Sequence, residues 1–179
     1  ARSLSGMAVE NNIFVRPLLN ITRAQTVAAC VESGIEVWID PHNSDERFAR
    51  VKVRQNLLPI FEEKLGPGVT EALARTADLL RDDADALDGL AAAEISHLNL
   101  TDIDCEYLTA LPKALRTRVL RTAIYACGAP EGSITSDHVA AAEALVTSWR
   151  GQGPLSLPGG VKVERISGRL SLLAQPTRP

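Results

Sequence analysis

Gly66-Pro67-Gly68 interrupts the chain, and the segment that follows constrains the fold more than any other. From Val69 to about Ala93, Leu73, Leu80 and Leu87 recur seven residues apart, with Ala77, Ala84 and Ala91 between them. That period lays a narrow apolar stripe along one side of a long helix, and the alanines let a partner helix close in. The opposite side carries Glu71, Asp78, Asp82, Asp83, Asp85 and Asp88, a solvated acidic face. A stripe of this kind serves a homodimer as well as an internal contact.

Shorter elements flank this helix. A strand is expected around Asn12–Arg16. Thr22 can cap a helix through about Glu32, with Val27 and Val31 on one face and Gly34 as the stop. Ile35–Ile39 is a short apolar run that reads as a buried strand. Asp40-Pro41 is a turn, and Asn43 with Glu46 forms a capping-box pattern for the helix after it. Pro59 bends or restarts that helix. Ile95, Leu98 and Leu100 suggest a short strand before a short helix near Asp104–Ala110.

Pro112 then opens a helix to about Cys127, stopped by Gly128 and Pro130. Another helix is expected from about Asp137 to Arg150, with Val139, Ala142, Val146 and Trp149 on one face. Val161–Ile166 and Arg169–Leu173, joined by Ser167-Gly168, carry a two-residue hairpin signal. Trp38 and Trp149 each end an apolar run, and both are expected in the core.

Bulk numbers exclude several classes. Net charge is -3, so no global basic field attracts nucleic acid, and such binding must come from local patches. Aromatic residues make up 4% while Ala and Leu dominate, which favours helices. No run approaches the ~20 apolar residues of a membrane span. Cys30, Cys105 and Cys127 are odd in number and far apart, which suits reduced thiols in the cytoplasm. No metal site is expected, because no His or Cys spacing has a ligand pattern.

Two basic elements could carry chemistry. The first places Arg47, Arg50 and Arg54 within one narrow stripe of a helical period, with Lys52 nearby. Val51 and Leu58 flank the stripe on one side, Val53 and Leu57 on the other. Arginine forks suit phosphate and carboxylate, but Asp40, Asp45 and Glu46 could equally pair with them. The second is the helix after Pro112, where Lys113, Arg116, Arg118 and Arg121 occur with no acidic residue from 112 to 130. A purely cationic face suits a phosphate backbone; it could equally be solvated, or neutralise the acidic helix.

These residues resemble the tRNA(Ile)-lysidine synthetases. The likeness runs through Arg2-Ser3-Leu4-Ser5-Gly6-Met7, Arg16-Pro17-Leu18-Leu19 and Arg23, then Trp38, Asp40-Pro41, Asn43, Asp45, Arg50, Arg54 and Leu58-Pro59. The phrase Gly160-Val161-Lys162-Val163-Glu164 is similar too. Residues 1–60 carry the specific match, and residues 70–175 match in layout. Val51 departs from the family, which commonly has Asn there, and His42 replaces a more usual Ser or Thr.

The resemblance implies ATP-dependent ligation of free lysine to the wobble cytidine of isoleucine tRNA through an adenylated base. It implies a cytoplasmic enzyme with tRNA(Ile), lysine and ATP with Mg as partners, and no membrane. The family's Ser-Gly-Gly-x-Asp-Ser loop and His-x-x-Asp-Asp segment are absent from this sequence. The chain is expected to begin just after them and to be inactive alone, ATP being held mainly by that N-terminal region. Asp40 and Asn43 carry over as turn-builders, and Arg50 and Arg54 as contacts to nucleotide or anticodon phosphates. Arg47 joins them by helical geometry alone. No catalytic residue carries over.

The expected fold is mainly α: residues 1–62 as the remnant of a PP-loop α/β domain, 63–93 as a helical linker, 94–175 as a helical tRNA-binding domain with a C-terminal β-hairpin, and 176–179 as a tail. Lys113, Arg116, Arg118 and Arg121 are the expected tRNA-backbone contacts. The alternative is a non-enzymatic helical nucleic-acid-binding or scaffold protein using the same basic helix.

Overall fold

The computed structural model describes residues 6–11 and 13–174; the expected tail at 176–179 and the opening Arg2-Ser3-Leu4-Ser5 lie outside them. The fold is mainly helical with a small antiparallel sheet. It divides into two compact units, Ala1–Asp82 and Asp83–Pro179.

The first unit begins with β1 (Glu10–Asn11) paired antiparallel to β2 (Phe14–Val15). Helix α1 (Arg23–Glu32) starts where expected, because Thr22 and Gln25 form a reciprocal capping box. Gly34, at φ +67°, supplies the left-handed residue that ends it. Val27 and Val31 remain exposed.

The expected buried strand at Ile35–Ile39 does not form. A strand needs a neighbour for its N–H and C=O groups, and none of the described strands pairs with it. Its side chains face outward, and Trp38 is 78% exposed rather than in the core.

A 3₁₀ turn follows at Pro41–Ser44, capped by Asp40. The expected Asn43 cap is therefore displaced: α2 (Ala49–Lys52) starts later, from Phe48, with no side-chain cap. Asp45 explains the delay, since its carboxylate binds both the N–H and the guanidinium of Arg47, a local turn that competes with helix. A π-helical turn at Val53–Leu57 joins α2 directly to α3 (Leu58–Leu65). Pro59 gives a cause: its ring crowds the carbonyl of Gln55 and it has no N–H to donate there, and a widened turn relieves both. Of the residues expected to flank the arginines, Val51 is buried at 1% and Leu58 is partly buried, while Val53 and Leu57 are exposed.

Helix α4 (Val69–His97) is the long helix, four residues longer than expected at its far end. Glu62 caps its start by accepting from the N–H of Gly68 and of Thr70, each at 2.7 Å. Along the stripe, Leu73 is exposed while Ala84 and Ala91 are buried.

The second unit stacks helices on one face of a sheet. Its strand order is β3 (Ile103–Asp104), β6 (Arg169–Ala174), β5 (Val161–Ile166), β4 (Leu155–Leu157), all antiparallel. The hairpin forms as expected: Ile166 pairs with Arg169, and Ser167 and Gly168 both have positive φ, as a type I′ turn requires. The strand expected near Ile95–Leu100 sits instead at Ile103–Asp104. Ile95 continues α4, and only the Leu100 carbonyl reaches the sheet, accepting from Leu172.

Helix α5 (Cys105–Ala110) is capped by Asp104 and α7 (Ser136–Thr147) by Thr135, while α6 (Lys113–Ala126) starts after Pro112 with no side-chain cap. Val161, Val163, Leu170 and Leu172 alternate toward Val119, Leu120, Ile124, Val139 and Leu145 in one core. Each fully buried Leu or Ile there contributes about 1.5–3 kcal/mol. Gly159 lets the chain pass close to the end of α6: a Cβ there would lie 2.8 Å from the Gly128 carbonyl.

Candidate functional site

The first candidate set lies in Ala1–Asp82. Asp40 Oδ1 accepts from the His42 N–H and meets His42 Nδ1, both at 2.9 Å, and so closes the turn. Those bonds, the backbone one first, hold the Asp40 carboxyl below its ordinary value. The closed turn presents the Asn43 carbonyl to the Arg54 guanidinium, which donates to it. Asn43 therefore acts here through its backbone oxygen.

Arg50 lies over the Phe48 ring, 4.9 Å from its centroid. Arg47 is not on the helix with them. It belongs to the preceding turn, paired with Asp45 at 2.6 Å, and each partner stabilises the charged form of the other. All three guanidiniums are exposed, each held in place by a contact within the segment. The structure brings Asn43 and Arg54 together and leaves Arg47 to its own turn.

The second set lies on α6. Arg116 donates to Glu143 Oε1 through Nη2 at 2.7 Å and through Nε at 3.1 Å, and to the Thr109 and Leu111 carbonyls. It thus ties α6 to α7 and to the end of α5. Arg118 Nε donates to Asp88 at 2.9 Å, and Arg121 Nη1 to the Ile134 carbonyl at 2.7 Å. The counter-charges missing from the sequence of α6 come from α4 and α7. Lys113 is exposed and has no ion pair among the described residues.

The Arg118–Asp88 pair is the expected alternative in which α6 neutralises the acidic helix, whereas Glu143, far from α6 in sequence, had no signal. The sequence reading missed Arg165, whose Nη1 donates to the Leu145 and Val146 carbonyls at the end of α7. Only the β5 alternation hints at it, because Arg165 lies in phase with buried Val161 and Val163.

Among the described residues no three His, Cys, Asp or Glu side chains are grouped to hold a metal ion. Cys30, Cys105 and Cys127 are free thiols. No helix among the described residues is long and apolar enough to cross a membrane.

Comparison with known proteins adds what the geometry lacks. Residues 103–171 match the TilS substrate binding domain, and residues 1–61 match the PP-loop domain. The chain is 46% identical over 176 residues to a tRNA(Ile)-lysidine synthase of Thermobifida fusca, covering 97% of this chain and 54% of the relative. It is 46% identical over 174 residues to that of Streptomyces coelicolor, covering 94% and 49%. With that of Leifsonia xyli the identity is 45% over 176 residues, covering 94% and 52%. The chain thus spans about half the length of the curated relatives it matches.

Proposed function

The chain belongs to the tRNA(Ile)-lysidine synthase family, and we propose that it is the part of such a ligase that grips tRNA and supplies one wall of its nucleotide site. In this reading the whole enzyme uses ATP to adenylate the wobble cytidine of isoleucine tRNA, and free lysine then displaces AMP. The reaction takes place in the cytoplasm. Residues 1–62 are the PP-loop remnant, 63–93 the linker and 94–175 the tRNA-binding domain. The observation that carries the reading is the TilS substrate binding domain match over 103–171, set within identity that covers 97% of the chain. No observation favours the scaffold alternative.

The roles divide by chemistry. Asp40 closes the turn, Asn43 and Phe48 hold Arg54 and Arg50, and those guanidiniums meet nucleotide or anticodon phosphates, while Arg47 serves its own turn through Asp45. Lys113, and the partly exposed Arg116, Arg118 and Arg121 behind it, form the face toward the tRNA backbone. The residues described here offer no cluster that fits magnesium, so no step is routed through it, and the ion would accompany the ATP phosphates. The uncovered Leu73 end of the α4 stripe is the contact proposed for a homodimer. Because neither ATP motif is in this sequence, the chain alone is inactive in this reading.

The test uses an enzyme that joins this chain to an ATP-loop region. Arg50→Ala or Arg54→Ala should each cut adenylation by about 100-fold, the cost of removing one positioned donor to developing charge. Circular dichroism should stay unchanged. Turnover at the wild-type rate from both variants would overturn the site assignment.

A further inference from the structure

Trp149 was expected in the core. It instead sits just past the end of α7, 39% exposed. One side of its indole is taken by Arg165, whose Cζ lies 5.7 Å from the ring centroid. Arg165 is itself fixed by the two α7 carbonyls it bonds, at 3.0 and 2.9 Å. The loop carrying Trp149 is pinned as well. Gln152 donates through Nε2 to the Ser148 carbonyl at 2.9 Å, and its Oε1 accepts from the Arg150 N–H at 2.5 Å. The backbone on both sides of the ring is therefore fastened, and Arg165 lies over the ring.

The cations of the unit fall into two groups, and among the described residues Lys113 and Arg121 on α6 belong to those without a carboxylate partner. Arg116, Arg118, Lys162 and Arg169 each pair with a carboxylate. Arg150 and Arg165 have no carboxylate partner among the described residues. A half-exposed aromatic ring with Arg165 on one side and Arg150 next to it in the chain, neither in an ion pair among the described residues, matches the chemistry of an unpaired nucleotide. Its base has a π-face for the indole and its phosphate a charge for a guanidinium. We infer that Trp149 and Arg150 form a stacking platform for one unpaired nucleotide of tRNA, with the base on the open indole face and the phosphate on Arg150. This inference rests on the tRNA-binding role proposed above.

The experiment uses the full chain carrying Trp38→Phe, which leaves Trp149 as its single tryptophan. An isoleucine tRNA transcript is titrated in while anisotropy of the labelled RNA reports binding and indole emission reports stacking. Polyphosphate, which has the charge but no bases, is the control. Quenching by tRNA and not by polyphosphate is expected. Trp149→Ala should weaken tRNA binding about tenfold, with Trp149→Phe losing far less. Arg150→Ala should lower the salt slope by about one. Bound tRNA with unchanged emission, an equal response to polyphosphate, or Trp149→Ala binding within about twofold of its parent would each overturn the platform. Absence of tRNA binding altogether overturns the functional reading, and the platform with it.

Discussion

Leu120, Ile124, Leu170 and Leu172 in Asp83–Pro179 are sealed from water, whereas Phe14, Trp38, Ile39 and Leu65 in Ala1–Asp82 face it. Among the described residues of the first unit, Val51 alone is a buried hydrophobic side chain. The difference is one of layers. In the second unit, α6 and α7 cover one face of a four-stranded sheet, so each apolar row finds an opposing row. In the first, the strands are two residues long and α1 buries nothing. Order there comes from local polar bonds: the Thr22–Gln25 box, the Asp40 turn, the Asp45–Arg47 pair and the Glu62 cap. One unit is held by a core and the other by short-range hydrogen bonds.

The largest effect expected from that contrast is in matched truncations. Leu120→Ala should lower unfolding stability by about 2–5 kcal/mol, and Phe14→Ala by no more than about 0.5 kcal/mol, both read by urea denaturation. Equal losses would mean that the first unit is held by packing after all. A smaller effect sharpens the second half of the contrast. Arg116 and Glu143, with side chains 11% and 12% exposed, form an enclosed ion pair. Arg116→Met should cost about 3 kcal/mol by stranding the Glu143 carboxylate, and Arg116→Met with Glu143→Leu should recover most of it. If the double variant is no better than the single, the pair is not what the side chains contribute there.

The smallest effect concerns acid. Glu62 has its pKa lowered in the folded chain, first by the Thr70 hydroxyl and then by the Thr70 and Gly68 N–H groups. A lowered folded pKa means stability that is present above the unfolded value and lost as pH falls through the folded one. The start of α4 should therefore loosen as pH drops below about 4, and Glu62→Gln should be loose already at neutral pH. Hydrogen exchange at the Gly68 and Thr70 amides reads both. Protection unchanged in the variant would remove Glu62 as the cap.

Most features that depend on neighbours in sequence were legible: the Thr22 cap, the Gly34 stop, the α4 stripe, the Pro112 start and the Ser167-Gly168 turn, though not the Asn43–Glu46 box. Features that depend on distant partners were not. Ile35–Ile39 has strand composition, but a strand is a property of a pair. The sequence leaves the cations of α6 open between a free face and one that neutralises α4, because Asp88 and Glu143, which meet two of them, lie 30 and 27 residues away. Arg47 failed in a third way. It fits the helical period, yet Asp45 two residues earlier captures it, and a local turn overrode periodicity. The family likeness reached further than any of these, because it compares whole phrases in order, over residues 1–60 and again at Gly160–Glu164, and not one local pattern at a time.

The wide turn at Val53–Leu57 also has a geometric consequence. It holds one residue more than an α-helical turn, and each residue advances a helix by about 100°. Arg50 and Phe61 would lie nearly above one another on a straight helix; here they stand about a quarter of a turn apart. The segment is two helical faces set out of phase, and Arg50, ahead of the slip, looks in a direction that the residues after it do not share.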